Sequence, residues 1–245
     1  METILFSDWD LIEYGEAWDR QEAILKQNLQ VKADYNNTPA ELRDPQPATT
    51  HQLFFCTHPA VYTLGKSGVM ENLLVNDSRL QELGATFYKT NRGGDITYHG
   101  PGQVVGYPIL DLEKFFTDLG RYMRSLEEVI IRTIAHYGIK GERLAGATGV
   151  WIDTEIPGKA RKICAMGVRC SRWMTMHGFA LNVNTDMRYF NYIVPCGIED
   201  KGVTSIRKEL GHDVDEAAVK ALIKQHFAAV FEAAIVDTAT PEMIS

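Results

Sequence analysis

The sequence predicts an α+β fold in which the 245 residues form one domain. Short segments with strand character alternate with a few long segments whose apolar residues recur every three or four positions. No internal repeat or low-complexity stretch divides the chain. With 45% hydrophobic residues the chain is long enough for one large core, and two small cores are also compatible with this length.

The N-terminal part predicts a long amphipathic helix over 10–30 and an exposed connection over 31–50. The apolar residues of the helix lie close to one face, at Leu11, Tyr14, Trp18, Ala23, Ile24 and Leu29. The connection holds an Asn-Asn pair, three prolines and few large apolar residues. A strand is predicted at 52–56. The GKSG sequence at 65–68 predicts a turn, because its glycine spacing differs from that of a phosphate-binding loop.

Three elements are predicted in the middle of the chain. A short helix at Asp77–Leu83 is closed by Gly84, and the strand ATFYKTN follows at 85–91. A long helix is predicted at Phe115–Tyr137, because apolar residues recur there at intervals of three and four and Gly138 ends the pattern.

The C-terminal half predicts strands and a closing helix. The strands are expected at Gly149–Asp153, Lys162–Arg169 and Met174–Val183. The closing helix is expected at 212–236, where apolar residues again follow a helical spacing.

A glycine-rich stretch, NRGGDITYHGPGQVVGYPILDL at 91–112, is the part least explained by packing alone. Its five glycines allow the backbone to take unusual conformations or to approach a ligand closely. The stretch is interpreted as a loop that leads into a strand at Gln103–Leu110, and the glycine and proline of that strand argue against an ordinary central position. It matches neither the Walker spacing nor G-x-G-x-x-G, so nucleotide binding gains no support.

Charge and cysteine content exclude several classes of function. The net charge of −7 disfavours nonspecific nucleic-acid binding. The sequence shows neither a membrane-spanning stretch nor a signal peptide, so a cytoplasmic protein without membrane attachment is expected. The cysteines at 56, 164, 170 and 196 form no C-x-x-C pair, and neither a metal nor a redox centre is expected.

Three groups of residues could carry chemistry. Cys196 lies between a proline and a glycine in a loop, where reactive residues concentrate, although a cysteine in an apolar segment is usually an inert core residue. Lys162 opens a strand beside two other basic residues. It could stabilise a thiolate, or the basic residues could simply form a solvated turn. His99, with His177 as a rival, could be a general base or a hydrogen-bonded structural group.

Several long motifs follow one another along roughly residues 52–208, namely HPAVYTLGKSG, RGGDITYHGPGQVVGYPILDL, TGVWI, KICAMGVRCSRWMTMHGFALNVN and PCGIEDKGVTSI. In their order these motifs resemble the lipoyl(octanoyl) transferase family. The long RGG-to-GPGQ motif is far more specific than a short catalytic signature. The resemblance implies a central mixed or antiparallel sheet flanked by helices, similar to the catalytic domains of biotin protein ligases and lipoate ligases.

The resemblance also implies an activity and a site. It implies transfer of an octanoyl or lipoyl group from acyl carrier protein to a lysine ε-amine, without a cofactor, as the first step of protein-bound lipoate biosynthesis. The acceptors are lipoyl domains of 2-oxoacid dehydrogenase complexes and the glycine cleavage H protein. Cys196 matches the nucleophile of the family and Lys162 its thiol-activating lysine. The acyl-binding positions are Arg92, Gly93, Gly94, Asp95, Ile96, Thr97, Tyr98, His99, Ala165, Met166, Gly167, Gly178, Phe179 and Ala180.

Two alternatives and one docking hypothesis accompany this interpretation. Related ligases activate a free acid with ATP, and they need a phosphate-binding loop but no nucleophile. A non-catalytic acyl-binding protein would use the same pocket and would not need Cys196 or Lys162. Because the protein partners of the family are acidic, a local rim of cations would be needed to dock them, with candidates at Arg92, Lys159, Arg161, Arg169 and Arg172. Each of these residues could instead be a scattered charge that serves solubility.

Overall fold

A computed structural model describes residues 1–194 and 201–238. The strands in these residues are β1 Thr3–Leu11, β2 His51–Thr57, β3 Val61–Leu64, β4 Thr86–Lys89, β5 Ile96–His99, β6 Gln103–Ile109, β7 Glu142–Leu144, β8 Ala147–Ile152, β9 Arg161–Ser171, β10 Met174–Asn182, β11 Gly202–Val203 and β12 Ala234–Asp237. The α-helices are α1 Tyr14–Asn37, α2 Asp77–Glu82, α3 Leu119–Ala135, α4 Ile206–Leu210 and α5 Glu216–Phe231.

Two sheets organise the chain. The main sheet has the order β12-β1-β2-β6-β10-β9-β8-β7, and β11 joins it by pairing with β9. Its β12-β1-β2 part is parallel, whereas the strands from β2 through β7 pair antiparallel. A small sheet has the order β4-β3-β5. The predicted α+β class with a mixed sheet is therefore confirmed.

Helices cover both faces of the main sheet. On one face, α3 and α5 pack against each other and bury apolar residues from both helices with residues of the central strands. On the other face, α1 packs across β6 and β10. The small sheet has an apolar cluster of its own, built around Tyr62, Ile96 and Tyr98. Because helices cover the faces of the main sheet, a pocket can form where the main sheet meets the small sheet.

The N-terminal prediction is partly wrong. Residues 3–11 form an unpredicted strand, and α1 continues to Asn37, so the first part of the expected 31–50 connection is helical. The helix continues because residues 31–37 contain neither glycine nor proline, and Pro39 accounts for its end. A buried ion pair also holds this last section, where the Lys32 ammonium lies 2.6 Å from the Asp111 carboxylate.

The expected closing helix at 212–236 is shorter than predicted. It comprises α5 alone, which ends before Glu232, a residue with a φ of 51°. The chain then forms β12, which pairs in parallel with β1. Because β1 was not recognised in the sequence, its partner could not be recognised either.

The glycine-rich stretch contains two strands, and the second is central. β5 belongs to the small sheet, whereas β6 lies between β2 and β10 in the main sheet. The prediction of a non-central strand is wrong because the regular β6–β10 pairing ends at Gly106 opposite Phe179. Pro108, which has no N–H to donate, lies beyond the last regular β6–β10 pair, while on the other side of β6 it stays in register with Leu53 of β2.

Candidate active site

A pocket opens where the small sheet meets the main sheet. Its walls come from the start of α1, the loop before β5 and the strands β5, β6, β8, β9 and β10. Its cavity volume is about 60 Å³, so the pocket is a narrow slot. The lining residues are Tyr14, Arg92, Gly94, Asp95, Thr97, His99, Val105, Tyr107, Thr148, Lys162, Ala165, Met166, Gly167, His177, Gly178, Phe179 and Ala180.

The structure brings most of the predicted acyl-binding residues together around this pocket. The exceptions are Gly93, Ile96 and Tyr98. Side chains alternate along a strand, so Ile96 and Tyr98 of β5 enter the apolar cluster of the small sheet while Thr97 and His99 face the pocket. Gly93 donates its N–H to the carbonyl of Val168 at 2.9 Å and thereby fixes the loop against β9.

Paired glycines let the walls of the pocket approach each other. Gly167 of β9 lies directly opposite Gly178 of β10. A Cβ on Gly167 would lie 2.6 Å from the carbonyl oxygen of Gly93, and one on Gly178 would lie 2.2 Å from that of Gly106. Any side chain at either position would therefore force backbone apart.

Arg92 lines the pocket and ties the loop before β5 to the small sheet. Its Nη2 donates to the Thr63 carbonyl at 2.6 Å and to the Thr63 hydroxyl at 2.9 Å, and its Nη1 donates to the Gly93 carbonyl at 3.0 Å. The side chain is 8% exposed. Arg92 therefore cannot serve as the surface docking cation that the sequence suggested. Two other candidates for that rim are neutralised, Arg161 by Glu209 and Arg169 by Glu22.

Lys162 is held along the β8 side of the pocket. Its ammonium lies 4.7 Å from the centre of the Trp151 ring, a distance that allows a cation–π interaction. Gly149 of β8 has a φ of 107°, and a Cβ there would lie 2.5 Å from the Cys164 carbonyl oxygen of β9, so glycine allows the two strands to approach at this point. The Gly149 N–H donates to the buried Glu127 carboxylate at 3.0 Å. On the backbone, the Thr204 N–H donates to the Lys162 carbonyl at 2.9 Å.

The two histidines at the pocket are buried and have depressed pKa values. Burial is the main cause for His99, whose pKa is well below 6.5, and nearby His58 and Arg92 lower it further. Burial also lowers the pKa of His177 to about 3. The His177 ring bonds through Nε2 to the Asn91 side-chain oxygen at 2.7 Å. Both rings are therefore neutral near pH 7, which makes them weak bases.

An aromatic cluster behind the pocket was not predicted. Tyr14 packs against His99 and against His58, and the Tyr107 hydroxyl lies 2.7 Å from Nε2 of His58. Burial lowers the pKa of His58 to about 4. The signals available in the sequence were the HPA motif and the tyrosine inside β6, but nothing local indicated that α1 would bring Tyr14 to them.

The predicted nucleophile, Cys196, lies outside the residues that the structure describes. The other three cysteines are poor nucleophiles because burial raises the pKa of the thiols of Cys56, Cys164 and Cys170. Cys56 and Cys164 are fully buried, and Cys170 is partly buried.

The turn at 65–68 does not present a phosphate-binding surface. The N–H groups of Gly65, Lys66 and Ser67 donate to the carbonyls of Asp95, Arg92 and Gly94, at 3.2, 2.9 and 3.1 Å. A phosphate cradle needs such groups free. The interpretation of this segment as a turn is confirmed, and its function is to hold the loop that precedes β5.

Within residues 1–194 and 201–238, no group of three or more histidine, cysteine or acidic side chains is arranged to hold a metal ion. No helix in the same residues is long and apolar enough to cross a bilayer.

Comparison with known proteins identifies the family. A model of the lipoyl protein ligase A/B catalytic domain matches residues 13–228. The chain belongs to this family. The octanoyltransferase of Cytophaga hutchinsonii is 52% identical over 236 residues, which cover 96% of each chain. The octanoyltransferase of Flavobacterium johnsoniae is 56% identical over 225 residues, which cover 91% of this chain and 94% of the relative.

The fold of this lipoyl protein ligase A/B family member is also seen in more distant proteins. A bi-partite lipoate protein ligase from Thermoplasma acidophilum superposes with a TM-score of 0.66 at 16% identity, covering 99% of this chain and 88% of the other. At that identity the similarity shows the fold alone. The family assignment confirms the resemblance that the sequence motifs indicated.

Proposed function

We propose that this chain is an octanoyltransferase of the cytoplasm that moves an octanoyl or lipoyl group from acyl carrier protein to a lysine ε-amine of lipoyl domains. The acceptors are the lipoyl domains of 2-oxoacid dehydrogenase complexes and the glycine cleavage H protein, and the reaction is the first step of protein-bound lipoate biosynthesis. The observation that carries the proposal is an identity above 50% with octanoyltransferases over more than nine-tenths of the chain. The pocket supports it.

The pocket suits an alkyl chain bound beside a reactive end. Met166, Phe179 and Ala180 give the pocket an apolar lining, and the polar residues Thr97, Thr148 and Lys162 line the same pocket. The glycines at 167 and 178 let neighbouring backbone pack directly against them, where a Cβ would clash. In this arrangement an octanoyl chain lies along the apolar wall and its carbonyl lies near the lysine.

The first chemical step forms an acyl-enzyme on Cys196. The Cys196 thiolate attacks the carbonyl carbon of the octanoyl thioester, a new carbon–sulfur bond forms, and the bond to the sulfur of the carrier breaks. The thiolate of the carrier leaves and takes up a proton. A thioester replaces a thioester, so the step has little thermodynamic cost.

Lys162 supports this step as a cation. A cysteine thiol with a pKa near 8.5 is only a few per cent ionised at neutral pH, and a nearby ammonium increases that fraction. The Thr204 N–H donates to the Lys162 carbonyl, and Gly202 and Val203 pair with Arg161 and Lys162, so the described chain at 202–204 runs beside the strand that carries this lysine. The three described cysteines have raised pKa values, which leaves Cys196 as the candidate nucleophile.

The second step transfers the acyl group to the acceptor. The neutral ε-amine of the acceptor lysine attacks the acyl-enzyme, an amide bond forms, and the Cys196 thiolate leaves. The proton lost by the amine passes to water, or to Lys162 once that lysine has given its own proton to the departing carrier thiolate. His99 is a weaker candidate for this proton, because its pKa is depressed well below 6.5.

The test is intact mass spectrometry after mixing the protein with octanoyl-acyl carrier protein in the absence of ATP. We expect one added octanoyl group, which maps to Cys196 and is discharged by a lipoyl domain. The Cys196→Ser variant should form no thioester adduct, whereas the control Cys170→Ser, which removes a partly buried thiol, should form it normally. Native transfer rates in Cys196→Ser would refute the covalent route.

The alternative function is an ATP-dependent ligase, which the similarity in fold to lipoate protein ligases favours. The turn at 65–68 does not offer a binding site for the phosphates of ATP, because its N–H groups are already bonded to backbone carbonyls. Acyl transfer that appears only with ATP and free octanoate would move the protein to that class.

A further inference from the structure

The two walls of the pocket come from different sheets and are connected by buried side-chain amides. His99 lies on β5 of the small sheet, and Lys162 lies on β9 of the main sheet. Between them stand Gln103 of β6 and Asn182 of β10, which face each other in the β6–β10 pairing. We refer to Gln103 and Asn182 as the amide relay.

The hydrogen bonds of the amide relay run without interruption from one wall to the other. Nδ1 of His99 lies 3.2 Å from Oε1 of Gln103, and Nε2 of Gln103 donates to Oδ1 of Asn182 at 2.8 Å. Nδ2 of Asn182 donates to the Thr204 carbonyl at 3.0 Å. The Thr204 N–H then donates to the Lys162 carbonyl at 2.9 Å.

The direction of each bond is fixed by groups that can only accept. Nε2 of Gln103 also donates to the backbone carbonyl of Tyr98 at 3.0 Å, so the amide nitrogen must face β5 and Asn182. Oε1 is then left to face His99, and Nδ1 of His99 must carry the proton. Nε2 of His99 is therefore the unprotonated nitrogen, which lies 3.4 Å from the Thr63 hydroxyl.

Burial makes these bonds costly to break. Gln103 is 1% exposed, Asn182 is 4% exposed and Thr204 is 0% exposed. A buried amide that loses its partner retains its desolvation cost, so a connected set of such groups holds one geometry much more strongly than its alternatives. The backbone of Thr204 is bonded on both sides, through its N–H to Lys162 and through its carbonyl to Asn182.

We propose that Gln103 and Asn182 are positioning residues for acyl transfer, because together they hold His99 in one tautomer and fix the backbone of Lys162 and Thr204 against the opposite wall of the pocket. This inference rests on the proposed function. Neither residue is among those that line the described part of the pocket. They set the distance between the wall that carries Lys162 and the wall that carries His99.

The chain supplies a matched control two residues further along. Asn184 follows β10, and its side chain makes three hydrogen bonds at 2.9 to 3.0 Å, two with the backbone of Val214 and one with Glu216. It has no hydrogen bond to the amide relay among the described residues. Asn182→Ala and Asn184→Ala therefore delete the same atoms, and the control loses at least as many bonds.

The experiment compares octanoyl transfer and urea unfolding for the two variants. We expect both to lose stability, but only Asn182→Ala to lower kcat, by about tenfold to a hundredfold, with KM for the carrier little changed. Asn184→Ala should stay within about threefold of the native kcat. Equal kcat values in the two variants would overturn the proposal. If Asn182→Ala does not fold, Asn182→Asp keeps the side-chain volume and should show the same loss of kcat, because it cannot donate to Thr204.

A measurement on the native protein tests the relay independently of activity. The ¹⁵N chemical shifts of the His99 ring report which nitrogen carries the proton, and we expect protonation at Nδ1. Protonation at Nε2 would exclude the hydrogen-bond directions on which the proposal depends.

If the native protein forms no acyl adduct, the proposed function fails. If the adduct forms and Asn182→Ala transfers at the native rate, only the positioning role fails.

Discussion

Substituting Gly167→Ala should disturb the pocket while leaving every polar side chain in place. Gly167 lies on β9 opposite Gly178, and the loop before β5 passes directly over it. The added Cβ would lie 2.6 Å from the Gly93 carbonyl oxygen and 3.2 Å from Cδ of Arg92. The perturbation is therefore a steric one between two stretches of backbone.

The size of the effect follows from this distance. Ordinary contacts between carbon and oxygen are about 3.3 Å or longer, so the Gly93 carbonyl must move by roughly 0.7 Å. Overpacking of this kind costs about 1–3 kcal/mol of unfolding free energy, and the movement weakens the bond between Gly93 and Val168. Because the same loop lines the pocket, a displacement near 1 Å is also expected to lower kcat/KM by about tenfold to a hundredfold.

Urea unfolding and steady-state octanoyl transfer measure the two effects. Gly120→Ala is the control, since Gly120 lies in the first turn of α3, where alanine improves helix propensity by about 1 kcal/mol. We expect the control to keep native kcat/KM and equal or higher stability. If the Gly167→Ala protein keeps native stability and native kinetics, the Gly93 backbone does not pack tightly against Gly167, and the reasoning is refuted.

Two further predictions concern buried charge. Lys32→Met should lower the unfolding free energy by about 3–5 kcal/mol, because it leaves the Asp111 carboxylate buried without its ammonium partner. The control Lys26→Met, on the exposed side of α1, should change the unfolding free energy little. Equal losses of stability in urea unfolding of the two variants would contradict the prediction. The pKa of His58 is lowered from 6.5 to about 4, so the unfolded chain takes up the proton first and stability falls as the pH drops from 6.5 towards 4, by up to about 3 kcal/mol from this residue. His58→Gln should give a flatter stability profile over that pH range, and an unchanged slope would show that other groups cause it.

The elements predicted well are those whose packing is visible in their own sequence. α3 buries a regular apolar stripe and ends before Gly138, which has a φ of 71°, and α2 ends before Gly84, which has a φ of 60°. The strands β2, β8, β9 and β10 are also found within a residue or two of the predicted bounds. In each case the hydrophobic spacing and the terminating residue are local properties.

The elements that were missed depend on distant partners. β1 and β12 are separated by more than 200 residues and stabilise each other at the edge of the sheet. The last turns of α1 are polar in sequence and are held by the bond between Lys32 and Asp111. β5 was interpreted as loop because four residues after two glycines carry too little pattern to predict a strand.

For the candidate site, too, some features were visible in the local sequence and others depended on distant residues. By itself the sequence determined the family, through long ordered motifs. It also led to the prediction of a cysteine nucleophile and an activating lysine, and it showed glycines that allow close backbone approach. The tertiary structure alone decided that Tyr14 and His177 join the pocket, that Arg92 is buried rather than exposed for docking, and that Gln103 and Asn182 link its two walls. The physical reason is that motif spacing records local backbone requirements, whereas burial, hydrogen-bond direction and pKa depend on which distant strands the fold places side by side.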